Sequence, residues 1–385
     1  MWLFGNKIIP IYELHNLKHV KTNAVWSKAV TPVGSPLSVG PLLFIYASVR
    51  TSILGPKVGL RGQLAGAALG SAALCYLTPF LKSAIALPPN SIFLHHNFYN
   101  AKDFIGASIK GTIGAALAYL EMQHLGYAWN GHWEDCVAST GISADPVPDF
   151  VFASGTDVCL VDAKGSARPF PDVGKLAKSE WKRQIYPNRN VMLKLGGFPT
   201  EGRVIAASLV RPRAVGLVAA YGRFPAASSL MVAPNAPITP GGLAMKSVQK
   251  TNFTNAFYLL GLNDMASSFI GGANARAEKQ LSWALSRAEY VDAGEAIFKG
   301  PSKIFDLAEG GVWIMQPFCR VDILRAAFLN LMRDDAPPVS SAPIILPDHI
   351  ENSKDSVALT TALDEQVIIQ SRDGVGAIFK RAICK

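Results

Sequence analysis

Charge is what this 385-residue chain has least of. Asp, Glu, Lys and Arg make up 17% of it, against 49% hydrophobic residues. That balance excludes a long disordered chain and leaves ample material for a buried core. Cysteine is scarce too: five residues, at 75, 136, 159, 319 and 384, widely spaced and without a CxxC pair. An odd, scattered set excludes a disulfide framework and a cysteine-based zinc site, and it fits a reducing, cytoplasmic setting. Cys159 alternates with apolar strand neighbours and belongs in the core. No GxxxxGK[ST], GxSxG or HExxH occurs, so ATP-driven translocation, a serine-elbow esterase and a zincin are not indicated. His95 and His96 are adjacent, and strand neighbours point to opposite faces, so they do not suit one shared ion. His132, near Glu134 and Asp135, reads as structural or surface. The first residues, Met1–Lys7, lack the basic region, long apolar core and cleavage site of a secretory signal.

Long apolar runs are equally few. Leu64 to Leu81 is uncharged for eighteen residues, the lower bound for a spanning helix. It is rich in Ala and Gly, and Gly66 and Gly70 have the GxxxG spacing that lets helices approach. Three readings stay open: a buried packing helix, a membrane helix, or a partner-binding helix. Val30 to Val49 is also uncharged, but Pro32, Pro36 and Pro41 argue against one continuous helix.

What is present is an uneven basic surplus. The formal net charge is +9. From Lys164 to Arg223 stand twelve Lys/Arg against three acids, Asp172, Glu180 and Glu201. That local surplus of nine equals the surplus of the whole chain. Such a stretch attracts polyanions, and Lys175, Lys178, Lys182 and Arg183 are its candidate nucleic-acid contacts.

The basic stretch begins at a hairpin. Asp149 to Ala153 reads as one strand and Val158 to Lys164 as the next, with Ser154-Gly155-Thr156-Asp157 as turn chemistry. A loop of two or of four residues gives the same register, in which Ala153 faces Val158 and Asp149 faces Asp162. Like charges opposed across a strand pair repel. A divalent cation is the simplest reason to hold them there, because Mg²⁺ takes one or two carboxylates plus substrate oxygens. Lys164 is two residues past Asp162 and shares its face. Two acids and a lysine suit metal-assisted phosphodiester hydrolysis.

Pro148-Asp149 followed by Asp162-Ala163-Lys164 resembles the signature of the PD-(D/E)xK, or restriction-endonuclease-like, nuclease superfamily. The resemblance covers about residues 105–200. It implies an acid from a helix before the hairpin, for which Glu121 on a helix from Lys110 to Gly126 is the candidate. It also implies a following helix that carries Lys or Gln toward the site, here Gly174 to Tyr186 with Lys178, Lys182 and Gln184. The site it implies has Asp149, Asp162 and Glu121 on Mg²⁺ (or Mn²⁺), Lys164 as the catalytic lysine, and Gln184 or Lys182 steadying the backbone or that lysine. The partner is nucleic acid, DNA foremost. A homo-oligomer is compatible, and a membrane is not expected. The rival readings are a catalytically silent nucleic-acid-binding or assembly protein, and a membrane-associated scaffold using Leu64–Leu81.

The expected fold class is α/β: a mixed sheet flanked by helices, restriction-endonuclease-like, with further N- and C-terminal regions. The expected divisions are an apolar accessory region at 1–105, the nuclease core at 106–233 and an α+β region at 243–385. Further strands are expected at Val191–Leu195, Val204–Val210 and Ala214–Tyr221. Pro234 to Gly242 reads as a linker. Helices are expected at Thr251–Gly261, Asn274–Tyr290 and Val321–Arg333, and a closing hairpin at Glu365–Phe379 around Asp373-Gly374.

Overall fold

A computed structural model describes residues 6–14, 30–32, 35–52, 55–77, 94, 96–138, 146–155, 157–209, 216–224, 240–272, 275–290, 295–306, 311–333, 338–342 and 366–382. The fold is mixed α/β. Its strands in chain order begin with β1 (Lys7–Ile9), β2 (Ile11–Leu14), β3 (Val30–Pro32) and β4 (Leu37–Val39), then helices α1 (Pro41–Ser52), α2 (Gly55–Tyr76) and α3 (Asp103–His124). Strand β5 (Trp129–His132) and the short α4 (Trp133–Cys136) lead into β6 (Phe150–Ser154) and β7 (Asp157–Ser166). Helix α5 (Phe170–Glu180) continues as one wider turn through Trp181–Ile185 before β8 (Glu201–Ser208) and β9 (Gly216–Arg223).

Seven of these strands form one sheet in the order β3-β2-β9-β8-β7-β6-β5. Strands β5, β6 and β7 run as an antiparallel meander, and β8 then lies parallel to β7. A parallel neighbour needs a crossover, and α5 supplies it. Apolar residues run without alternation along β7 because both of its faces are covered: Val158, Cys159, Leu160 and Val161 are all fully buried. Helix α3 lies so close on one face that a Cβ on Gly165 would stand 2.0 Å from the Lys110 carbonyl oxygen. The opposite face is covered by α5 and its following turn, where Trp181 and Ile185 pack over Gly202.

The C-terminal part holds α6 (Pro240–Leu259), α7 (Asn263–Gly271), α8 (Ala275–Ser286) and α9 (Val321–Leu331), with strands β10 (Glu289–Tyr290), β11 (Ala296–Lys299), β12 (Lys303–Asp306), β13 (Val312–Arg320), β14 (Val367–Gln370) and β15 (Val375–Arg381) in a second sheet. Segments 1–105, 106–233 and 243–385 interleave. Strand β2 pairs in parallel with β9 inside the main sheet, and one cluster of buried apolar residues runs through all three. Buried Arg50 of α1 is joined to Asp373 of the β14–β15 turn at 2.5 Å, and Asn252 of α6 bonds both.

Two expectations need correction. Val191–Leu195 forms no strand; Leu193 makes a single bridge to Val137. Pro240 to Gly242 open α6 instead of ending a linker, as the first turn tolerates a proline that lacks its N–H; residues 225–239 lie outside the described set. Gly66 and Gly70 do face a neighbouring helix: added Cβ atoms there would meet Ser52 and Ser48 of α1. Among the described residues no helix is long and apolar enough to cross a membrane. The end of the Leu64–Leu81 run falls outside the described residues.

Candidate metal centre

The two strands of the hairpin pair as far as Ser154 opposite Asp157. Gly155 has φ +54°, a conformation that glycine adopts without a Cβ penalty. The ladder places Ala153 opposite Val158 and Phe150 opposite Val161, which puts Asp149 opposite Asp162 one step further. Strand β6 starts at Phe150, so the last residues of β7 outrun it and pair only with β8. Asp149 fills the gap that this leaves. Its Oδ2 accepts the backbone N–H of Ala163 at 2.8 Å.

At that notch the three side chains meet. Lys164 Nζ donates to Asp162 Oδ1 at 2.5 Å and lies 3.6 Å from Asp149 Oδ2. The Asp162 side chain is fully buried, while Asp149 is 41% and Lys164 25% exposed. The group is therefore a buried acid with an open lip, not an enclosed cavity. Asp162 Oδ2 is buried and receives no N–H, and the Asp149 carboxylate is the hydrogen-bonding neighbour of the Asp162 carboxyl. Burial first, and the charge of Asp149 second, lift the Asp162 carboxyl to about 7 against the pull of Lys164. Burial works against the Lys164 charge, but Asp149 and Asp162 outweigh it and hold the ammonium above its usual range.

Glu121 does not join them. Its Oε1 lies 3.5 Å from Arg203 Nη1, which also donates to Glu13 Oε1 at 2.8 Å. Arg203 is the register partner of Val161 and Asp162 that of Val204. Side chains alternate along a strand, so Glu121 and Arg203 occupy the sheet face opposite Asp162. Glu121 is thus withdrawn from the metal set. Burial raises it to about 7, with Arg203 opposing.

Gln184 reaches the site only indirectly: its Nε2 donates to Glu180 Oε2 at 2.5 Å. Glu180, which the sequence reading passed over, is buried on α5, and its charge helps hold Lys164 protonated. The available signal was spacing, since residues four apart share a helix face. Of the basic candidates, Lys175 pairs with Asp172 and Arg183 with Glu180. Lys178 is half-buried and Lys182 exposed, both without an ion pair among the described residues. His132 packs on Phe150 at 5.0 Å between ring centroids, a structural place.

The donor set suits a hard cation in one specific way. Among the described residues no group of three or more His, Cys, Asp or Glu side chains forms a metal cage. Two neighbouring carboxylates match what Mg²⁺ takes when water and phosphate oxygens complete its shell. No protein-family model, curated protein or solved structure matches this chain.

Proposed function

We propose that this chain is a metal-dependent nuclease with a restriction-endonuclease-like core, hydrolysing phosphodiester bonds of DNA. One observation carries the reading: where β7 outruns β6, Lys164 Nζ lies 2.5 Å from the buried Asp162 carboxyl and 3.6 Å from that of Asp149, and the two carboxyls are themselves neighbours. The order helix α3, hairpin β6–β7, helix α5 supports it, being the order that the resemblance implies.

Asp149 and Asp162 would hold Mg²⁺ or Mn²⁺, which supplies charge stabilisation at the scissile phosphate and an acidified water. Lys164 places a positive charge beside that phosphate, where it offsets the charge that develops in the transition state. Lys178 and Lys182 hold the strand through its phosphates, which gives affinity without sequence choice.

The test is plasmid nicking by the full chain with Mg²⁺ or Mn²⁺. Asp162→Asn and Lys164→Ala are expected to lose at least 100-fold in rate, on the scale of single electrostatic groups in active sites, while Glu121→Gln keeps the activity. Equal nicking by wild type and both site variants rejects the assignment. A second reading, nucleic-acid binding without cleavage, is favoured by the way Lys164 already bridges both acids. It predicts salt-dependent DNA binding that survives Asp162→Asn, with no nicking under any metal.

A further inference from the structure

On the face of the main sheet away from Asp162, two acids share one arginine. Glu13 comes from β2, Glu121 from α3 and Arg203 from β8, and all three are buried, Glu121 fully. Arg203 Nη1 donates to Glu13 Oε1 at 2.8 Å and stands 3.5 Å from Glu121 Oε1. Tyr221 of β9 lies against the guanidinium, with its ring centroid 4.5 Å away. Glu201, on the same face, turns to the Tyr221 hydroxyl and to Arg223. Cys159 of β7 also faces the cluster, and burial pushes its thiol up to about 12, so it stays neutral. One cation between two buried carboxylates leaves one negative charge unmet, and a buried acid in that position keeps its proton. That acid is Glu121, which burial lifts to about 7, with Arg203 opposing and Glu13 adding to the rise.

Two atoms of the cluster mark a second arrangement. Arg203 Nε and Glu121 Oε2 are both buried, and neither has a hydrogen-bond partner among the described residues. One is a donor and the other an acceptor. A guanidinium turned so that Nε and the terminal nitrogen beside it face Glu121 would meet both carboxylate oxygens, the two-pronged geometry that arginine and carboxylate favour. That pair requires an ionised Glu121, and it withdraws Arg203 from Glu13. The two acids are not equally free to respond. Glu121 sits on the 22-residue α3, tied down two residues later by Gln123, which accepts the Arg372 N–H and donates to the Ala128 carbonyl. Glu13 sits on the four-residue β2, between β9 and the three-residue β3, and its side chain is 11% exposed. Strand β2 is therefore the element that yields, because its movement brings the Glu13 charge to water.

We propose that Glu13, Arg203 and Glu121 form a proton-operated latch on strand β2. With Glu121 protonated, Arg203 holds Glu13 and the strand; with Glu121 ionised, Arg203 turns to the helix and the strand loosens. The latch has the two discrete arrangements that a switch requires. It does not rest on the nuclease reading, because Asp162 and Lys164 occupy the opposite face of the sheet.

The test is amide hydrogen exchange of the full chain in EDTA at about pH 6 and about pH 8, corrected for the intrinsic rate, with β13 and β15 as internal reference. Protection of β2 relative to that reference is expected to fall at least tenfold, roughly, from the lower pH to the higher in the wild type. It is expected to stay level in Glu121→Gln, which has no charge to draw Arg203 away. Asp162, which titrates in the same range, is present in both proteins and cancels. Carboxyl NMR of ¹³C-glutamate-labelled wild type reads the same step without a variant, with one glutamate expected to titrate at about 7. Level protection in the wild type, a fall that Glu121→Gln retains, or titration of every glutamate below about pH 6 overturns the proposal.

Discussion

Asp162, the acid on which the proposed chemistry centres, costs the fold something. Its carboxyl titrates near 7 in the native state against 3.8 ordinarily, with burial as the main cause. Between those values the folded chain holds a proton that the unfolded chain has lost. Stability from this group therefore falls as pH rises from about 4 to about 7. Asp162→Asn removes the titration. The variant is expected to be more stable than wild type at pH 8 by at least ~1 kcal/mol, with the gap narrowing as pH is lowered toward 4. Melting curves of both proteins in EDTA across that range check it; Glu121, which also titrates near 7, is present in both and cancels. A stabilised but inactive variant is the usual signature of a residue kept for function. The Asp149–Asp162–Lys164 arrangement was legible in the sequence because alternation and a short turn fix cross-strand partners. Glu121 was misplaced because spacing gives a helix position, not the side of the sheet on which the helix packs. The i+3 and i+4 bonds of Glu180 to Arg183 and Gln184 follow from helix spacing, but the burial of Glu180 does not, since it depends on how α5 packs on the sheet.

At the scale of elements, the contact between α3 and β7 positions the site. Gly114 and Gly165 let the helix backbone touch the strand backbone, and no side-chain movement can make room there. Gly165→Ala is expected to destabilise the protein by about 3 kcal/mol or more, the upper end of overpacking costs, and to lower nicking by displacing Lys164. Denaturant titration measures the first effect. Gly111→Ala, on the same helix with open space around its Cβ position, serves as the control and stays near wild type. Strand and helix types along 103–223 follow from apolar runs and turn residues, and most were readable. Val191–Leu195 has the apolar pattern of a strand but lies between the turn after α5 and Gly196-Gly197, both with positive φ, and never finds a ladder. Strand β5 went unread because Trp-Asn-Gly-His has neither alternation nor β-branched residues; β6 and α6 on either side make it a strand.

For the whole molecule, the decisive contacts join residues hundreds of positions apart. Arg50 and Asp373 are both buried, and Asn252 Oδ1 also accepts the Asn130 backbone N–H, which links α1, α6, the main sheet and the C-terminal hairpin. Asp373→Ala leaves the Arg50 guanidinium buried without its carboxylate. A loss of about 3–5 kcal/mol is expected, as for other broken buried pairs, with one cooperative unfolding transition reporting through probes in both sheets. Local patterns leave no trace of such a link, so the sequence could not show that strand β2 and the C-terminal hairpin pack on one core. The central claim is narrower than this framework, and one measurement meets it directly: a crystal structure grown with Mn²⁺, with data collected at the manganese absorption edge. An anomalous peak between the Asp149 and Asp162 carboxylates, at roughly 2.0–2.3 Å from both, with Lys164 displaced from Asp162, is the expected result. No peak at millimolar Mn²⁺, with Lys164 still bridging the two acids, contradicts the account.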